Sequence, residues 1–187
     1  MQPQLNYSYR ILFLVITGLI VFFYSSCEKI SEHPDVSKGL VKQWRVGVIS
    51  VDLSAEGIGL IQYLQDNFAY SDDEAKMIYD SIVSDVKANT FQTIRFNGDK
   101  TFKINPDEPD EQAGTWSVST NGEMLFLHFE VETEEFQVLM ITANSLNLKN
   151  TKRQEDVDFD YDGTGDSTLD IDLVYDISAS SNGGAGG

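Results

Sequence analysis

The chain has 187 residues, 41% of them hydrophobic and 11% aromatic, with a formal net charge of −17. That apolar content suits a folded core and excludes a disordered polyelectrolyte. A field of that sign repels phosphate backbones and anionic lipid, which excludes a nucleic-acid reader and adsorption of the protein body to a membrane, while it attracts cations. The single cysteine, Cys27, excludes a disulfide within the chain.

Residues 11–23 (ILFLVITGLIVFF) carry no charge. The run falls short of the roughly 20 residues a spanning helix needs and has the length of a signal-peptide core. Arg10 is the only charge before Cys27, and Ser25-Ser26 precede the cysteine with the small side chains a peptidase accepts. The segment resembles a bacterial lipoprotein signal over residues 1–26, with Tyr24 in place of the usual branched aliphatic residue. The resemblance implies that the Cys27 thiol takes a diacylglyceryl group, which would hold the mature chain in the cell envelope, by expectation at the outer membrane. An uncleaved anchor with an incidental cysteine is the competing reading. Residues 27–38, polar and with Pro34, are expected to form a tether.

From Gly39 to about Leu53 the pattern is strand-like, with Trp44, Val46 and Val48 on one face and Arg45, Ile49 and Val51 on the other. The period then changes. Ile58, Ile61, Leu64 and Phe68 are spaced at three and four, and Ser71-Asp72-Asp73-Glu74 reads as a capping box. It opens a second helix that carries Ala75, Ile78, Tyr79, Ile82 and Val86 on one face. A two-helix insertion over 54–88 is therefore expected between strands one and two.

Beyond residue 91 the period is two, with Asn97-Gly98 and Asn121-Gly122 as hairpin turns. Strands are expected at 91–96, 101–104, 114–119, 125–131 (Leu125, Leu127, Phe129 and Val131 inward), 136–142, 146–152 and 169–177. An acidic loop over 154–168 separates the last two. The predicted fold is mainly β, an eight-stranded antiparallel up-and-down barrel over residues 39–178, since closure removes exposed edges. A sandwich is the alternative. The tail 179–187 is expected to be disordered.

Four segments, Gly39-Leu40-Val41-Lys42-Gln43-Trp44, Phe96-Asn97-Gly98-Asp99-Lys100-Thr101-Phe102, Gly114-Thr115-Trp116-Ser117-Val118 and Leu146-Asn147-Leu148-Lys149, carry a further resemblance. The chain is similar to the lipocalin-like lipoproteins of Bacteroidetes, small lipid-anchored barrels. The resemblance implies a barrel that binds a small apolar or amphipathic ligand. The helical insertion and the acidic stretch after Arg153 depart from the family pattern.

Two sets of residues are candidates for chemistry. Trp44, Phe102, Trp116, Leu127 and Phe129 are expected to point inward, either lining a ligand cavity or packing as core. Asp158, Asp160, Asp162, the carbonyl of Thr164, and Asp166 have the alternation of a calcium loop, with Gly163 at its turn. Leu169 stands where an EF-hand needs Glu, so a calcium loop between strands fits better than an EF-hand; a solvated acidic loop is the alternative. His33 is read as a spacer residue and His128 as a surface contact. No nucleophile elbow, His-Glu-x-x-His or phosphate-cradling glycine loop is present, so the expectation is a non-enzymatic protein. It either binds a ligand or serves as a solid barrel that contacts another envelope component.

Overall fold

The computed structural model describes residues 34–160, 162–165 and 167–180. A short helix, α1 (Pro34–Leu40), leads into β1 (Gln43–Ala55), a two-residue strand β2 (Ile58–Gly59), and helices α2 (Leu60–Phe68) and α3 (Asp72–Ala88). Seven strands follow: β3 (Thr93–Phe96), β4 (Thr101–Ile104), β5 (Gln112–Val118), β6 (Met124–His128), β7 (Thr133–Ile141), β8 (Ser145–Val157) and β9 (Ser167–Ala179). Each pairs antiparallel with its neighbour in chain order, and β9 returns to β1. The result is a closed eight-stranded meander, as the turn spacing predicts, with β2 as a short appendage to β1.

Closure is uneven. β9 pairs with β1 from Trp44 to Ala55, whereas β3 meets only Gln43, Trp44 and Arg45. The rest of that β1 edge lies beside the helices, where the Tyr79 hydroxyl donates to the Val51 carbonyl (3.2 Å). β8, β9 and the second half of β1 thus extend past the other strands as a wing. α2 and α3 cover its apolar face with Leu60, Leu64 and Ala75, all fully buried. The capping box at the start of α3 forms as expected: the Ser71 hydroxyl accepts from the Glu74 amide while the Glu74 carboxylate accepts from the Ser71 amide.

The core is one cluster built from the inward row of every strand: Ile94 and Phe96, Phe102 and Ile104, Trp116 and Val118, Leu125 and Leu127, Phe136, Leu146 and Leu148, and the odd residues of β9 from Leu169 to Ile177. Through most of its length the barrel is filled by side chains. One end is closed by α1, with Leu40 fully buried and its carbonyl accepting from the Trp44 indole at 2.8 Å. The chain leaves β9 at this same end, where the Ser180 amide donates to the Gln43 carbonyl.

Five expectations need correction. The tether narrows, because residues 34–40 are helical and Val36 and Leu40 pack on the core. On β1, a bulge between Val46 and Val48, at Gly47, inserts an extra residue, so that Leu53 and Ala55 are buried beyond it and Val48 is exposed. The insertion becomes helical at Leu60 rather than at 54, because β1 continues through Ala55 and turns on Glu56-Gly57, both at positive φ. Val131, expected in the core, is 91% exposed, since β6 ends at His128 and the Phe129 amide donates to the Glu132 carbonyl across the turn. The acidic loop is shorter than 154–168, as β8 runs to Val157 and β9 begins at Ser167; β9 also takes in Ala179 from the predicted tail.

Candidate functional site

The end of the barrel opposite α1 is open. Here the strands are joined by the β4–β5 loop, the β6–β7 turn and the link from α3 into β3, and between them lies an open-mouthed cavity of about 360 Å³. Its floor is aromatic: Phe91, Phe129 and Tyr175, with Ile104 beside them. Phe91 and Tyr175 stack at 5.2 Å with their planes 8° apart, and Phe136 meets Tyr175 edge-on from below. Tyr175 faces inward because it sits on the buried row of β9, two residues from both Leu173 and Ile177.

The rim is polar and mostly anionic. Asp110, Glu132 and Glu134 line it, and among the described residues Lys152 is the only cation that does. Lys152 is already paired, its Nζ lying 2.8 Å from Glu134 Oε1. Most rim donors are also committed to the protein. Asn89 Nδ2 donates to the Asp85 carbonyl, the Thr90 hydroxyl to the Lys87 carbonyl, and Asn105 Nδ2 to Asp110. On the inward row of β8, two residues below Lys152, Asn150 is 5% exposed; its Nδ2 donates to the Glu135 carbonyl and its Oδ1 has no partner. The charged groups of the rim are therefore mainly acceptors, while the Gln112 carboxamide and the Tyr175 hydroxyl also line the cavity and can donate.

Burial, reinforced by the negative charge of Glu134, pushes the Tyr175 hydroxyl far above the ordinary tyrosine range. The folded state holds this phenol neutral while the unfolded chain ionises it near pH 10. The stability Tyr175 contributes is therefore complete below pH 10 and declines as pH rises, by up to about 1.4 kcal/mol per pH unit. In a urea-unfolding series from pH 9 to 11.5, Tyr175→Phe should show a shallower alkaline loss than the wild-type chain.

A second, more apolar recess of about 350 Å³ adjoins the first, between α3 and the β8–β9 wing. Ile82 and Val86 form its helix side and Ile171 and Leu173 its sheet side, and it shares Asn89, Thr90 and Lys152 with the mouth cavity.

Of the five expected lining residues, Phe129 alone lines the mouth cavity. Trp44, Phe102 and Leu127 are almost completely buried in the packed interior. Trp116 is buried at the closed end, its indole donating to the Thr101 carbonyl at 3.1 Å, and the Lys100 ammonium sits 4.0 Å above its ring. Sequence reasoning missed Tyr175, Glu134 and Lys152 as cavity residues. Parity could have found Glu134, which lies two residues before the buried Phe136, and Lys152, which continues the row of Leu146, Leu148 and Asn150. The contribution of the 105–111 loop has no local signal.

The structure brings Asp158, Asp160 and Asp162 together, with a carboxylate oxygen of each within 4.8 Å of the others. Backbone amides of the loop already hold them: Asp158 accepts from Asp162 and Gly163, and Asp162 accepts from Thr164. Asp166 and Cys27 lie outside the described residues, as does His33. Both His128 ring nitrogens meet hydroxyls, those of Ser117 at 3.0 Å and Thr133 at 3.1 Å, consistent with a surface contact.

Compared with known proteins, the chain matches no family model and no curated protein sequence.

Proposed function

We propose that this protein is a lipid-anchored, non-enzymatic binding barrel of the bacterial cell envelope, of the lipocalin-like lipoprotein kind, which holds a small amphipathic molecule at its open end. The observation that carries this reading is the mouth cavity, with its aromatic floor, its polar rim and a volume at the lower end of the range for small-molecule sites. The address rests on the Ser25-Ser26-Cys27 sequence after an uncharged run of signal-peptide length. Two or three acyl chains on Cys27 would make attachment effectively permanent.

Both halves are testable. In a producing bacterium the wild-type chain is expected in the membrane fraction, and Cys27→Ser in the soluble envelope fraction. The processed chain is expected to take up the neutral amphiphile N-phenyl-1-naphthylamine with a blue-shifted emission. Thr90→Trp, which fills the mouth from its exposed rim, should weaken uptake at least tenfold. Absence of uptake would leave the packed interior as the better guide, and with it a solid barrel that contacts another envelope component.

The loop between β8 and β9 supports a subsidiary reading, a calcium ion bridging Asp158, Asp160 and Asp162. The expected result is a rise in melting temperature in millimolar Ca²⁺ that is absent from Asp160→Asn; an unchanged melting temperature removes calcium from the account.

A further inference from the structure

The mouth cavity and the apolar recess beside it form one two-part site, because both are lined by Asn89, Thr90 and Lys152. We infer that this site selects cationic amphiphiles: molecules with an ammonium head, seated over the aromatic floor between the rim carboxylates, and an apolar chain laid along the groove between α3 and the wing. This rests on the binding function proposed above and names the chemical class it serves.

Three observations point to a positive head. The first is charge: three carboxylates line the mouth against one lysine, and that lysine is consumed by Glu134. A carboxylate or phosphate head would enter an anionic rim with no free cation to receive it. The second is the hydrogen-bond balance. Asn89, Thr90 and Asn105 each have a donor engaged by the protein, while the Glu132 and Asp110 carboxylates on the rim retain acceptor capacity. A ligand that brings N–H groups or bare positive charge suits those carboxylates. The third is the aromatic floor, where a ring face left uncovered by the Phe91–Tyr175 stack attracts an ammonium group, an attraction that grows when water is excluded.

The tail follows from the recess. Ile82 and Val86 face Ile171 and Leu173 across it, and no charge lines its interior apart from Asp85 and the shared Lys152 at its edges. An alkyl chain there would bury apolar surface that α3 and the sheet leave partly uncovered.

The test is calorimetric titration of the processed full chain with decyltrimethylammonium, hexyltrimethylammonium and decanoate, each below its micelle concentration. Decyltrimethylammonium is expected to bind at least tenfold more tightly than decanoate and several-fold more tightly than the hexyl compound. Glu132→Gln, on the exposed rim, should cut the cation preference three- to tenfold. Lys152→Gln, which frees Glu134, should raise it. Val86→Asp should abolish the advantage of the longer chain. A general attraction of cations to a chain of net charge −17 would not respond to these single side chains. Decanoate binding as tightly as the cation would overturn the head-group assignment while leaving a binding barrel in place. Equal affinity for the decyl and hexyl compounds would overturn the groove. No binding of any probe, N-phenyl-1-naphthylamine included, would overturn this inference and the proposed function together.

Discussion

Replacing Trp44 by alanine is expected to remove about 3–5 kcal/mol of folding stability, the range for emptying a buried aromatic site. Trp44 is fully buried at the closed end of the barrel, on the short stretch of β1 that pairs with both β3 and β9. Its indole N–H also holds the Leu40 carbonyl at 2.8 Å, and the Lys42 ammonium lies 5.0 Å from its ring. The substitution therefore opens a void where the barrel is most fully closed and frees the end of α1. The midpoint of urea unfolding should fall steeply, and residues 34–40 should become sensitive to protease before the strands do. Val131→Ala is the control. At 91% exposure Val131 contributes almost nothing, and its loss should stay within about 0.5 kcal/mol. A small effect at Trp44 would mean that the closed end is not packed as described.

Gly114→Ala should cost 3 kcal/mol or more, at or beyond the upper end of ordinary overpacking. A Cβ at this position would stand 2.2 Å from the His128 carbonyl oxygen and 2.9 Å from the Phe102 ring. The carbonyl belongs to the backbone of β6 next to its pairing with Thr115, so it cannot rotate away. Phe102 is fully buried and held edge-on to Phe129 at 5.1 Å, so it has no empty space to move into. Relief requires β5 and β6 to separate beside the mouth, which would also displace Phe129. Loss of stability and loss of probe uptake should therefore appear together. Gly98→Ala is the matched control, since a Cβ there would find only Val41, at 3.9 Å. It should leave both properties unchanged.

The strands beyond residue 91 were legible because each buries one face, and alternation along a half-buried strand is forced by its two-residue period. The capping box was legible for a similar reason: its hydrogen bonds lie within four consecutive residues. What escaped depends on partners distant in sequence. The Gly47 bulge is defined only against β9, so reading β1 as one regular strand put Val48 on the wrong face. Residues 34–38 looked like a tether because the surface that makes their helix worthwhile comes from strands that fold around it much later in the chain. Val131 satisfied the alternation yet lies past the end of the ladder, where a turn takes over. The candidate site was the least legible part. Phe129 was found through its strand parity, but Phe91, Asp110, Lys152 and Tyr175 come from four other segments that only closure of the barrel brings together.

The described chain enters through α1 and leaves through Ser180 at one pole of the barrel, and the mouth lies at the other. Traffic through the mouth is therefore kept apart from the points of entry and exit of the described chain, so that a substitution on the outer surface of α1 is expected to leave uptake of a probe untouched.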